Sequence, residues 1–111
     1  MSSNQVVNIV ATECRAEEEV RFNKWYNEIH IPLLFKFRGM KKVTRYKRLN
    51  DKREHTTYLA LYEFESKEAL ADFIESPERK AAIEEMKESW KEEGFEMKWA
   101  VPYEEIKTWE R

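Results

Sequence analysis

The pattern of apolar and polar residues along the chain predicts strands and helices in a definite order. Apolar and β-branched residues fill Gln5 to Glu13, and so continuous a run indicates a strand that is buried on both faces. From Ala16 to His30 the apolar residues recur at helical spacing, which predicts a helix with one apolar stripe. Pro32 lacks a backbone donor and crowds the preceding turn, so this helix should end or kink near Ile31. His30 is therefore expected in the last turn of the helix.

The chain after Pro32 continues the alternation of helix and strand. A short helical piece should follow the proline and stop at Gly39. Met40 to Leu49 and Thr57 to Glu65 flank a polar turn, and this arrangement predicts a β-hairpin. Ser66 can cap the next helical piece, and Ser76 with Pro77 can begin another, so the second helix is expected in two pieces.

A last strand completes the predicted fold. Phe95 to Val101 alternates in hydropathy, so Phe95, Met97, Trp99 and Val101 should share one face. The order βαββαβ is that of the α+β ferredoxin-like sandwich, in which both helices pack on one face of a four-stranded antiparallel sheet. Residues 1–111 are expected to form one such domain. Because the first and third strands are apolar on both faces, a second copy of the chain should cover the face that the helices leave open, giving a dimeric α/β barrel.

Composition and charge narrow the classes of partner. Charged residues make up 38% of the chain but nearly cancel, with a net charge of -2, which disfavours nucleic acid and anionic membranes as partners. The RNA-recognition fold shares the βαββαβ order, but the third strand here, TYLALYEF, lacks the glycines of its consensus. No apolar run is long enough to span a bilayer, and the single cysteine, Cys14, suits a reducing compartment. We therefore expect a soluble cytoplasmic protein.

Residues that bind cofactors or metals are scarce in this chain. Cys14, His30 and His55 do not recur at zinc-ligand spacing. Gly39 and Gly94 are the only glycines, so a glycine-rich phosphate loop cannot form. The sequence therefore predicts neither a metal site nor a bound cofactor.

One segment of the chain is similar to a known family. WYNEIHIPLL (Trp25 to Leu34), followed by Gly39 and VTRY (Val43 to Tyr46), resembles the EthD-like branch of the dimeric α/β barrel proteins. ESPERKAA (Glu75 to Ala82) is similar to that family's break between two helical pieces. The resemblance implies a ferredoxin-like homodimer with a cleft between helices and sheet in each subunit, and it places the histidine of the motif at that cleft. Members are associated with small hydrophobic metabolites, in degradation pathways and polyketide tailoring.

His30 is the first candidate for catalysis. It lies one turn from Tyr26 at the edge of the apolar stripe, so its ring should be half buried. A helix C-terminus favours the imidazolium whereas burial opposes it, so the pKa is expected to stay near neutrality, which suits a general acid/base. The alternative is that His30 caps the carbonyl groups that Pro32 leaves without a donor.

Other side chains are candidates for the same cleft. Arg45 and Tyr46 lie on opposite faces of a strand, so at most one faces the cleft, and we favour Tyr46 as the second catalytic residue. Asn8 interrupts an apolar strand and needs a polar partner or a ligand. The candidate substrate-binding residues are Asn8, Trp25, Tyr26, Leu34, Tyr62 and Trp99. Aromatic residues in regular elements are also typical of a core without other function.

Three functions fit these features. The first is a cofactor-free enzyme in which His30 moves a proton on a small apolar oxygenated metabolite, as in a cyclase, dehydratase or isomerase. The second is a protein that binds such a hydrophobic ligand without chemistry. The third is a cofactor-free monooxygenase of the related barrel family.

Overall fold

A computed structural model describes residues 4–111 and has the predicted order of elements. The strands are β1 (Val6–Cys14), β2 (Met40–Lys47), β3 (Tyr58–Phe64) and β4 (Phe95–Glu104). They form one antiparallel sheet in the order β2-β3-β1-β4. The prediction of a ferredoxin-like α+β fold is confirmed. No helix of residues 4–111 is both long and apolar enough to cross a bilayer.

The helices pack on one face of this sheet. A 3₁₀ turn (Ala16–Glu18) leads into α1 (Glu19–Trp25), a π-helical segment (Tyr26–His30) and α2 (Ile31–Leu34), and then α3 (Lys67–Ile74) and α4 (Pro77–Ser89) follow β3. The predicted break between α3 and α4 is confirmed, since each helix has its own serine cap. Ser66 Oγ accepts a hydrogen bond from the Ala69 amide at 3.1 Å, and Ser76 Oγ accepts one from the Arg79 amide at 3.2 Å.

The helix around Pro32 differs from the sequence-based expectation. We expected an end or kink near Ile31, yet the helix continues through Pro32 and stops after Leu34 rather than at Gly39. The π-helical segment explains the difference: its wider turn accommodates a proline ring that would collide with a carbonyl of a regular α-helix. His30 has φ -65° and ψ -55° and lies inside this continuous helix. The prediction that it occupies a last helical turn is therefore wrong.

A bulge in β4 corrects a second expectation. The register between β1 and β4 shifts between Ala11 and Thr12, where Ala11 pairs with Trp99 and Thr12 with Met97. Lys98 is the extra residue, and a shift of one residue moves all later side chains to the other face. Met97 therefore faces the helices, whereas Trp99 faces away from them.

The main core lies between the helices and the sheet. Its largest fully buried side chains are Phe22 of α1 and Phe64 of β3. Further aromatic rings come from the helical run of residues 19–34, from β3, from α3 and from the residue that follows α4, namely Trp25, Tyr26, Tyr58, Tyr62, Phe73 and Trp90. This core holds the helical run rigidly over the centre of the sheet.

The opposite face of the sheet, which we call the open face, is covered by no helix within the described residues. Strand register places an apolar set on it: Val7, Ile9, Ala11, Leu59, Leu61, Tyr46, Trp99, Val101 and Tyr103. Several of these side chains are well exposed, including Tyr46 and Tyr103 at 53% and Trp99 at 43%. A patch of this kind is typical of an interaction surface.

Candidate functional site

A cavity of about 190 Å³ lies between the sheet and the helices. Five of the candidates named from the sequence line it together: Asn8, Tyr26, His30, Leu34 and Tyr62. The remaining lining residues come from β1, α3, α4 and β4, namely Val10, Phe73, Arg79, Ile83, Met86, Met97 and Ala100. A cavity of about 150 Å³ holds a benzene ring, so this one suits a ligand built on a single small ring.

The imidazole of His30 is buried in the wall of this cavity. Only 8% of the residue is exposed, and its ring stacks on Trp25 with centroids 4.7 Å apart. Its Nδ1 is buried without a hydrogen-bond partner among the described residues. The ring makes no hydrogen bond to a helix carbonyl in that part of the chain, so the structure does not support the capping role. The unpaired ring nitrogen is a polar group left for a ligand or for proton transfer.

Burial sets the protonation state of His30. Desolvation lowers the pKa of the imidazole to about 4, opposed by the negative charge of Glu85 and assisted by the positive charge of Arg45. The expectation of a pKa near neutrality is wrong, because the ring lies inside the helix, where the C-terminal dipole does not reach it. His30 is therefore a neutral imidazole at pH 7.

Trp25 packs against the ring of His30 and does not line the cavity. Its indole Nε1 donates a hydrogen bond to Glu85 Oε1 of α4 at 2.9 Å, which fixes the plane of the indole. The same indole is the face on which the imidazole stacks. Trp25 thus holds the orientation of His30 and brings the Glu85 carboxylate close to it.

Tyr26 and Tyr62 form a buried hydroxyl pair beside His30. Their oxygens lie 2.6 Å apart, and burial raises the pKa of both phenols. Two phenols carry two hydroxyl hydrogens, and the bond between them uses one. The other has no acceptor among residues 4–111. The pair can therefore donate one hydrogen bond to an oxygen atom inside the cavity.

Of the two neighbours on β2, Arg45 faces the helices and Tyr46 faces away from them. Arg45 lies 4.3 Å from the ring centroid of Tyr26, and its Nη1 donates to Asn27 Oδ1 at 2.9 Å. Desolvation lowers the pKa of this guanidinium. Tyr46 pairs with Leu59 on the open face. The preference for an inward Tyr46 is therefore wrong, and period-two alternation alone could not decide it, because it fixes only that the two neighbours point apart.

Trp99 likewise lies outside the cavity. It borders a shallow surface depression together with Tyr46 and Leu59, on the open face. Its predicted place among the substrate-binding residues of the cleft is wrong, because the bulge at Lys98 reverses the faces of β4.

Sequence reasoning missed the wall that α4 supplies. Arg79, Ile83 and Met86 recur at i, i+4 and i+7, which is the spacing of one helical face. The signal is present in the sequence, since the stripe begins inside ESPERKAA.

Comparison with known proteins agrees with this architecture. A family model described as "Domain of unknown function (DUF4286)" matches residues 5–100. No curated protein matches the chain. The solved structure of an ethyl tert-butyl ether d (EthD) family protein from Bacillus halodurans is similar with a TM-score of 0.68 and 16% identity, over 91% of this chain and 99% of that one. The predicted resemblance to EthD-like proteins is thereby confirmed for the fold.

Two further solved structures share the fold. A dimeric protein of unknown function with a ferredoxin-like fold from Bacteroides fragilis has a TM-score of 0.66 and 21% identity, over 94% of this chain and 99% of that one. SnoaB, a cofactor-independent oxygenase from Streptomyces nogalater, has a TM-score of 0.63 and 10% identity, over 96% of this chain and 97% of that one. Identities this low relate the folds only.

Proposed function

Because the chain belongs to the Domain of unknown function (DUF4286) family and encloses a cavity within its ferredoxin-like fold, we propose that it binds a small apolar oxygenated metabolite there. The observation that carries this proposal is the neutral imidazole of His30, buried on the cavity wall beside the Tyr26–Tyr62 hydroxyl pair. The apolar lining favours a small hydrophobic ligand. The hydroxyl hydrogen that the tyrosine pair leaves without an acceptor favours a ligand with an oxygen atom.

The same geometry supports proton transfer by His30. A neutral imidazole can accept a proton from a C–H or O–H group of the ligand. Negative charge that develops on the ligand's oxygen would be stabilised by the hydrogen bond from the tyrosine pair. The imidazolium formed at His30 would be stabilised by the carboxylate of Glu85, which already opposes the fall in its pKa. We therefore assign His30 as a general base in a cofactor-free proton transfer of the isomerase, cyclase or dehydratase type.

Two alternatives use the same cavity. In a cofactor-free monooxygenase, the ligand deprotonated by His30 would react with dioxygen, and the fold shared with the cofactor-independent oxygenase SnoaB favours this version. In a binding protein, His30 would only form a hydrogen bond with the ligand. Only the monooxygenase would consume dioxygen. Only the binding protein would transfer no proton.

We also propose that the chain works as a homodimer through its open face. The apolar side chains on that face support it, and so does the dimeric state of the Bacteroides fragilis protein of the same fold. The cavity lies on the other side of the sheet, so such a dimer would leave it accessible.

Deuterium exchange tests the proposal without knowledge of the natural ligand. Acetophenone has one small ring, one carbonyl oxygen and exchangeable hydrogens next to the carbonyl, so it matches the cavity in size and chemistry. We expect the protein to bind it and to accelerate exchange of its methyl hydrogens in D₂O, as followed by proton NMR. His30→Asn should lower the rate roughly 100-fold. His55→Asn, which alters an exposed loop histidine, is the matched control and should keep the wild-type rate.

The possible results discriminate among the functions. Binding without accelerated exchange would favour the binding protein over the proton-transfer enzyme. Exchange that persists in His30→Asn would contradict the role of His30. If acetophenone and similar single-ring ketones show no binding at the cavity residues, the proposed function is wrong.

A further inference from the structure

We propose that the ligand of this cavity is an anion, a small aromatic or alicyclic carboxylate whose carboxyl group pairs with Arg79. This inference rests on the proposed function and names the chemical class of its ligand. The apolar ring would lie between the sheet and α4, and the carboxylate would lie at the guanidinium end of the cavity.

The charges around the cavity support an anionic ligand. Arg79 is the one lining residue that carries a charge at pH 7, because the lining includes no acid, lysine or second arginine and His30 is neutral there. The other polar groups that line it are Asn8 and the two phenols. Among the lining residues, a cation therefore meets no opposite charge, whereas an anion meets the positive charge of Arg79.

Arg79 has no anionic partner within residues 4–111. It forms no ion pair with a described carboxylate, and the one hydrogen bond of its side chain is a long one, from Nη1 to the Ile74 carbonyl at 3.5 Å. It also lies in the first turn of α4, where the helix dipole disfavours positive charge. Arg79 is partly buried as a residue, an anion would stabilise its guanidinium in this position, and the planar fork of that group matches a carboxylate.

The position of Arg79 on α4 gives the ligand an orientation. Arg79, Ile83 and Met86 follow one face of the helix, so the charge lies at one end of an apolar stripe. Arg79 also borders a groove on the outer surface beside Ser76 and Pro77. Arg79 thus borders both the cavity and the outer groove, and a carboxylate paired with its guanidinium could keep part of its hydration. The ring of the ligand would then reach inward toward His30 and the tyrosine pair.

Benzoate and benzamide test the charge preference, since they have the same size and shape and differ by one charge. We expect wild-type protein to bind benzoate about 10-fold to 100-fold more tightly than benzamide, measured by ligand-observed NMR or calorimetry. Arg79→Gln should bring the ratio close to one by weakening benzoate alone. Arg79→Lys should restore part of the preference. Lys80→Gln is the matched control, because Lys80 borders only the outer groove, and it should leave the ratio unchanged.

Each remaining outcome decides against the inference. Equal affinity for the two probes, with both weakened by Ala100→Phe, which fills the cavity, would overturn the anion preference and leave the proposed binding site intact. A benzoate preference that persists in a folded Arg79→Gln protein would overturn the role of Arg79. Failure of both probes and of acetophenone to bind would overturn the inference together with the proposed function.

Discussion

At the scale of single residues, burial decides the chemistry of His30. The imidazole stacks on Trp25, meets Tyr26 edge-on at 5.0 Å and is shielded from water, so protonation would place an ion in an apolar wall. The ring is therefore neutral at pH 7, as the proposed role of a general base requires. A ligand that brings negative charge into the cavity would raise its pKa and make the proton transfer more favourable.

The lowered pKa of His30 makes stability depend on pH. Between pH 6.5, the pKa of His30 in the unfolded chain, and about pH 4, its pKa in the folded chain, the unfolded chain binds a proton at His30 that the folded chain does not. The free energy of unfolding should thus fall as the pH drops through this window, by about 3 kcal/mol from this residue. His30→Asn should show a shallower fall in urea unfolding at pH 7 to 4. His55→Asn should follow the wild type, and identical slopes for wild type and His30→Asn would contradict the prediction.

At the scale of elements, the π-helical segment is what places the site. It lets one helical run pass through Pro32 while Tyr26 and His30, at its two ends, both line the cavity. π-helical turns are rare and often occur at functional sites. The wider turn is less stable than a regular helical turn, so it is retained where it has a use. The irregular turn is thus a local cost that positions two site residues.

Replacing Pro32 tests the role of this turn. Pro32→Ala restores a backbone donor and removes the ring that a regular α-helix cannot accommodate, so the segment should return toward regular α-helix, and stability should rise by up to about 3 kcal/mol. The rotation of His30 should weaken acetophenone binding roughly 10-fold. Thermal unfolding and NMR titration measure the two effects. Pro77→Ala, at the first position of α4, is the control and should change neither much. Unchanged affinity for acetophenone in Pro32→Ala would contradict the role of the π-helical turn in the site.

The elements also show how far the sequence can be interpreted on its own. The βαββαβ order, the hairpin and the serine caps of α3 and α4 depend on local signals, and all were predicted. The inward choice of Arg45, the reversal of faces at Lys98 and the π-helical turn were not, because each depends on pairing or packing with a distant segment. Five cavity residues could be named from sequence, since a motif and buried polar positions marked them.

At the scale of the whole molecule, one sheet separates two surfaces of different composition. The helix side holds the core and the cavity, and the open face holds exposed aromatic and aliphatic side chains. Exposing such a face to water is unfavourable, and a two-fold contact between two copies would bury it with a single self-complementary surface.

Light scattering tests this assembly. At micromolar concentration we expect a mass near twice 13.5 kDa. Leu61→Glu places a charge at the centre of the open face and should give a folded monomer that is less stable at the same concentration. Leu49→Glu is the matched control, since Leu49 is 103% exposed in the loop after β2 and should leave the mass unchanged. A monomeric wild type would contradict the dimer.

The bulge and proline of β4 bear on aggregation. β4 and β2 are the two edges of the sheet, and free strand edges are where fibrils begin. In β4, Pro102 provides no amide hydrogen and the bulge at Lys98 interrupts the row of backbone groups. In β2, Lys41 and Lys42 would bring like charges together in a neighbouring copy. The proposed pairing of open faces would therefore leave two sheet edges at which strand-by-strand growth into fibrils is disfavoured.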